Sequence, residues 1–168
     1  MPPKNSHLQQ SVFPELTWQD DEWLGKMTLG PWHTIELSIN PKEHGQPVAP
    51  TEEQEAAYQH LLECTPDVVA ALIFSLEKYY KRMRPRYLDF LGTEAAQLMP
   101  ELSQATDLVR LIDLIHVYIH AEAKNGSAYV GFHFDCTWEK EHGLGCIMHL
   151  NKVLEVDSAD ISFSWSPE

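Results

Sequence analysis

The sequence predicts an α+β fold: an antiparallel sheet drawn mostly from the C-terminal half, joined by N-terminal strands and flanked by two or three helices from the middle. Three observations carry that expectation. Residues 11–40 and 108–165 hold short runs rich in aromatic and β-branched side chains, residues 51–102 follow helical spacing, and the two kinds of segment are separated along the chain. Separation of this kind argues against a doubly wound parallel sheet, which alternates strand and helix. With 168 residues and a 43% apolar share, the chain reads as one domain over 1–168 with its own core.

In the N-terminal part, Val12-Phe13, Leu16 to Trp18, Trp23 to Leu29 and Trp32 to Ile39 are strand-like. The last run alternates, placing Ile35, Leu37 and Ile39 on one face and Thr34, Glu36 and Ser38 on the other. Asp20-Asp21-Glu22 reads as the turn between two strands, and the three prolines and one glycine of Pro41 to Pro50 as a loop. Thr51 with Gln54 forms a capping box for a first helix ending near Cys64. Thr65-Pro66-Asp67 then reads as the start of a second, with Thr65 as N-cap. Val68, Val69, Leu72, Ile73, Leu76 and Tyr80 form its apolar stripe. Pro85 is expected to end it, leaving Arg86 to Met99 as a shorter third helix before Pro100.

Asn125-Gly126 is a strong two-residue hairpin signal. Folding about it pairs Ala121 with Val130, Ile119 with Phe132, Val117 with Phe134 and Ile115 with Cys136. His120 then meets Gly131, Tyr118 meets His133 and His116 meets Asp135, so one face is apolar and the other mostly polar. A further hairpin is expected from Gly145–Leu150 to Val153–Val156, turning at Asn151-Lys152, with Ile161 to Trp165 as a last strand.

The balance of 25 acidic to 12 basic residues gives a net charge of −13. Such a surface repels phosphate backbones and anionic lipids, so neither nucleic acid nor membrane is an expected partner; a basic protein is. Met1 to Gln10 has no apolar core and no stretch approaches membrane-spanning length, so no signal peptide or span is expected. Cys64, Cys136 and Cys146 are widely spaced and without a CxxC, which suits reduced thiols and a cytoplasmic location.

Four features bear on function. The polar hairpin face supplies His116, His120, His133 and Asp135, the residue types of a metal or acid–base site. Without a metal-binding signature, the face reads first as the second side of a sheet, and neither cofactor nor catalytic residue is expected. The segment 134–146 places Asp135, Glu139, Glu141 and His142 close together, with Gly143 and Gly145 serving the turn. Lys78, Lys81, Arg82, Arg84 and Arg86 fall within nine positions and read as the C-terminal end of the second helix, where cations complement the dipole. Of Trp18, Trp23, Trp32, Trp138 and Trp165, most are expected in the core.

Trp138-Glu139-Lys140-Glu141-His142-Gly143-Leu144-Gly145, set between the Asn125-Gly126 hairpin and a Val-x-x-Val strand, resembles an uncharacterised bacterial domain family. The match covers Ala128 to Ser162 well. Genes of that family often lie near polymorphic toxins, and its members are similar to toxin-immunity proteins. With the acidity, the small size and the absence of a catalytic signature, the resemblance implies a non-enzymatic binding protein that occludes a cognate toxin, and the charge makes a basic toxin the expected one. Its contacts are expected from Asp135, Trp138, Glu139, Glu141 and His142, with Tyr118 and His133 on the adjoining sheet face. The alternative is a small metal-dependent or acid–base enzyme using the His/Asp face.

Overall fold

The strand-like runs and the helical middle assemble, in the computed structural model, into the α+β architecture the sequence predicts; residues 7–8 and 12–168 are described. Among the described residues, eight strands form a single sheet in sequence order: β1 (His7–Leu8), β2 (Leu16–Gln19), β3 (Glu22–Leu29), β4 (Trp32–Ile39), β5 (Ile112–Lys124), β6 (Ser127–Cys136), β7 (Leu144–His149) and β8 (Lys152–Asp157). Every neighbouring pair is antiparallel except β4–β5, which is parallel. A parallel pair needs a crossover. It is supplied by α1 (Glu52–Glu63), α2 (Thr65–Leu91) and α3 (Ala95–Leu98), with 3-10 turns at Gly92–Glu94 and Ala105–Arg110.

Asp20 and Asp21 both take positive φ, which lets two residues turn β2 into β3. In β4, Ile35, Leu37 and Ile39 are fully buried, as the alternation requires. The Thr51–Gln54 capping box is present. The Gln54 amide also donates to the carbonyls of Asn40 (2.6 Å) and His120 (3.0 Å), tying the start of α1 to the sheet. Leu61, Leu72, Leu76 and Tyr80 of α1 and α2 join Leu37, Ile39, Val117, Ile119, Phe132 and Phe134 of the sheet in one apolar cluster. Trp18, Trp23, Trp32 and Trp138 belong to it too.

The β5–β6 register corrects the expected one. Next to the turn, Lys124 faces Ser127 and Ala123 faces Ala128, as expected, but an irregularity then shifts the pairing. Ile119 faces Val130, Tyr118 faces Gly131, Val117 faces Phe132 and His116 faces His133. Because the shift is two residues, each side chain keeps its face, and the apolar–polar division survives with different partners. A second irregularity between Leu114 and His116 changes parity: Ile112 and Leu114 enter the core, and Asp113 faces Asp135.

Other expectations are corrected as well. Thr65 does not cap α2: its hydroxyl donates back to the Leu61 (2.7 Å) and Leu62 (3.1 Å) carbonyls, and Cys64 is the cap residue. Pro85 does not end α2, which runs on to Leu91, so no separate helix spans 86–99. Pro85 and Lys81 are both exposed, so the Lys81 carbonyl that the proline leaves without a donor sits at the solvent side. Contacts of the continuing turns, where Tyr87 and Leu91 pack against the apolar cluster, offset a cost of about 3 kcal/mol. The basic run therefore lies inside α2, and the last turn holds no basic residue. The last hairpin turns at Leu150-Asn151, with Leu150 at positive φ and His149 facing Lys152. Ile161–Ser164 is a short helix, α4, instead of a strand.

Candidate functional site

Alternation along β5 and β6 sends His116, Tyr118, Gly131, His133 and Asp135 to the sheet face opposite the helices. The parallel β4–β5 pair adds Ser38, and the β3–β4 pair adds Glu22, so a polar row crosses four adjacent strands. Ser38 Oγ lies 2.6 Å from His116 Nε2 and 3.2 Å from Glu22 Oε1. A hydroxyl has one proton, so with Glu22 ionised Ser38 donates to the carboxylate and accepts from His116 Nε2–H. Burial, then the neighbouring His133, lowers the His116 pKa to about 4, so the ring is neutral near pH 7. Burial also lowers that of His133, against the pull of Asp135 and Asp160, and raises that of Glu22 despite the Ser38 hydrogen bond. The His116 ring stacks on Tyr118 at 4.0 Å and 4°, and Tyr118 leans on Phe163 of α4 at 5.5 Å.

A short C-terminal segment covers this row. Gly131 makes the covering possible: a Cβ there would lie 1.7 Å from the Ser162 carbonyl oxygen. At Gly145 it would lie 2.7 Å from that of Ser158. Gly145 is thus a close-approach residue, where the sequence suggested a turn. His120, buried, points its Nε2 at the Ser162 carbonyl (2.8 Å) and places Nδ1 4.0 Å from Glu122. Both ring nitrogens are therefore directed away from His116 and His133. Among the described residues no three His, Cys, Asp or Glu side chains gather as metal ligands.

The loop joining β6 to β7 is held at several points. Thr137 Oγ1 donates to the Leu98 carbonyl (2.7 Å), and Ala159 N donates to the His142 carbonyl (3.0 Å). Gly143 takes positive φ and donates to the Glu139 carbonyl (3.1 Å). Trp138 is only 6% exposed and packs edge-on against Tyr80 at 5.1 Å, so its indole serves the core. Glu139 is half-buried; it accepts from Tyr87 Oη (3.4 Å) and from His142 N (3.3 Å). Burial, with the Glu139 charge second, lifts the Tyr87 pKa to about 12. Lys140, Glu141 and His142 are left exposed on this braced loop, as is Asp135 near the end of β6.

Beside it, Asp113 and Asp135 stand directly opposite across β5 and β6, both exposed. Neither carboxylate has an ion-pair or hydrogen-bond partner among the described residues. Like charges directly opposite on a sheet are unfavourable by roughly 0.2–1 kcal/mol. They line a groove of about 420 Å³ with Arg110, Leu111 and Lys140. The structure thus brings Tyr118, His133 and Asp135 to one sheet face, leaves Glu141 and His142 exposed on the loop after β6, turns Glu139 toward Tyr87 of α2, and separates His120 and Trp138. Asp113, Glu22 and Ser38 were not singled out. Their roles depend on a parity change and on a parallel pairing, neither of which leaves a local pattern.

Cys136 and Cys146 are buried and Cys64 partly so, and none is in a disulfide. Burial pushes Cys136 up to about 11 and Cys146 higher still, against thiolate formation. Among the described residues, no helix is long and apolar enough to cross a membrane. A family model described as a domain of unknown function, DUF6985, matches residues 12–163. No curated protein and no solved structure matches the chain.

Proposed function

The chain belongs to the DUF6985 family, and we propose that it is a binding protein, an immunity protein that neutralises a cognate bacterial toxin in the cytoplasm by occluding it. The observation that carries this reading is the Asp113–Asp135 pair, two unpaired carboxylates held face to face beside a braced acidic loop. In the free protein the two like charges face each other at a cost, whereas a Lys or Arg of a partner placed between them turns repulsion into a charge-assisted hydrogen-bond pair. The net charge of −13 would steer a basic partner toward the surface and raise its association rate. The signature segment that resembles immunity proteins lies in the same loop. Binding is favoured over catalysis because Ser38, the hydroxyl nearest an imidazole, has no exposed surface.

The test is calorimetric titration with the protein encoded by the neighbouring reading frame. A saturable complex, weakened at least about tenfold by Asp113→Asn with Asp135→Asn, supports the reading. Absence of binding at micromolar concentration, or a complex indifferent to both substitutions, overturns it.

A further inference from the structure

The basic run inside α2 is not accounted for by the acidic site. Phe74, Lys78, Arg82, Arg86 and Phe90 recur every four residues, so they follow one ridge of the helix. Sixteen residues at 1.5 Å each make that ridge about 24 Å long. The two phenylalanines that end it are 57% and 86% exposed, and the three cations between them are exposed. Two grooves open along the same helix. One, of about 490 Å³, lies between Phe74, Lys78 and Arg82 and the edge strand β8, where Leu154 is exposed. The other, of about 470 Å³, lies between Arg86 and Phe90 and the loop at Trp138.

Cations outnumber carboxylates along these grooves, Lys78, Arg82 and Arg86 against Glu155 and Glu139, and both carboxylates already accept hydrogen bonds. Glu155, in the first, accepts from Trp165 Nε1 (3.0 Å), and Glu139, in the second, is held by Tyr87 and His142. Lys81 pairs with Glu77, and Arg84 with Glu101 at 3.8 Å. Lys78 sits over the Phe74 ring at 4.6 Å and Arg82 over Tyr79 at 5.4 Å. No carboxylate among the described residues pairs with Lys78, Arg82 or Arg86.

We infer that this ridge, with its two grooves, docks an acidic peptide segment of another protein whose apolar anchors cover Phe74 with Leu154 at one end and Phe90 at the other. Charge complementarity selects that occupant. Three unpaired cations sit between apolar ends, on a chain whose −13 charge disfavours a polyphosphate running beyond them. The surface is distinct from the Asp113–Asp135 groove and does not depend on it.

Fluorescence anisotropy with labelled synthetic peptides tests the assignment on the full chain. The probe carries glutamates between two leucines about seven residues apart, since an extended residue advances about 3.3 Å. Saturable binding is expected. It should weaken about tenfold or more with Lys78→Glu plus Arg82→Glu, about fivefold with Phe90→Ser, and markedly between about 50 and 500 mM salt. Asp113→Asn with Asp135→Asn should leave it unchanged, which separates this surface from the toxin-binding reading. The inference is overturned if the same peptide with lysines for glutamates binds equally well, or if nothing saturates by millimolar concentration. Tighter binding of an oligouridine overturns it too, as does wild-type affinity in the correctly folded variants. Should a variant fail to fold, the peptide pair and salt series on the wild-type chain still decide.

Discussion

On one face of the sheet, Val117, Ile119, Val130, Phe132 and Phe134 lie in the core cluster shared with α1 and α2. On the other, His116, Tyr118, Gly131 and His133 lie by a four-residue helix and the few residues before it. The same two strands thus supply both faces by period-two alternation, yet the faces are closed by different physics. The first depends on apolar area removed from water, a non-directional force that tolerates exchange of partners. The second depends on hydrogen bonds, ring stacking and a backbone approach that only glycine admits. Such contacts are few and each has a defined geometry.

That contrast can be broken from either side. The largest effect is expected from Phe132→Ala on the helix-covered face. Loss of a fully buried aromatic should cost about 3–5 kcal/mol in urea unfolding, with the C-terminal cover still in place. Gly131→Ala on the opposite face forces a methyl group into the Ser162 backbone. It should cost about 2–3 kcal/mol and make residues near α4 selectively open to protease, because the cover can lift while the core stays packed. Equal costs with no local opening would erase the distinction between the faces.

A pH series sharpens the comparison, since the titrating groups of the polar row all lie on one face. His116 has a folded pKa of about 4 against an ordinary 6.5, so below pH 6.5 the unfolded chain binds the extra proton. Its contribution is present above pH 6.5 and lost as the pH falls toward 4. His120 and His133, also lowered, act with the same sign. Glu22, raised, acts with the opposite sign, its contribution lost as pH rises through its folded pKa. Allowing for solvent screening, His116 should contribute on the order of 1–2 kcal/mol. Unfolding at pH 7 and pH 4.5 should show that loss, and His116→Gln should flatten it. The smallest effect has the opposite direction. Asp135→Asn should stabilise the free protein by about 0.2–1 kcal/mol, by relieving its repulsion from Asp113. A destabilised variant would show that the carboxylate has a structural duty.

How much of this was legible follows the same division. The apolar face was readable because a two-residue slip leaves every side chain on its side, so the core of Val117, Ile119, Phe132 and Phe134 emerged even though its pairings shifted. The polar face was readable only as an inventory. That Ser38 touches His116 requires β4 to lie parallel to β5, a choice made by the whole helical crossover and by no nearby residue. The basic run was visible as composition, but its place in mid-helix depended on Pro85 being tolerated, which the exposed side of α2 allows. The burial of Trp138 under Tyr80 is not written in the segment 138–145, because it depends on where α2 crosses the loop.

The strand order has a further consequence, for how the chain reaches this state. Sheet neighbours follow the order of the sequence, and within β2 to β4 and within β5 to β8 they are joined by turns or short loops, so each set is a local meander. The β4–β5 junction alone must close across the entire helical segment. Loop-closure entropy and contact order concentrate there, which makes the meeting of two half-sheets the kinetic bottleneck. Glu22, Ser38 and His116 become one hydrogen-bonded row only when that seam closes, so the polar row records completion of the fold.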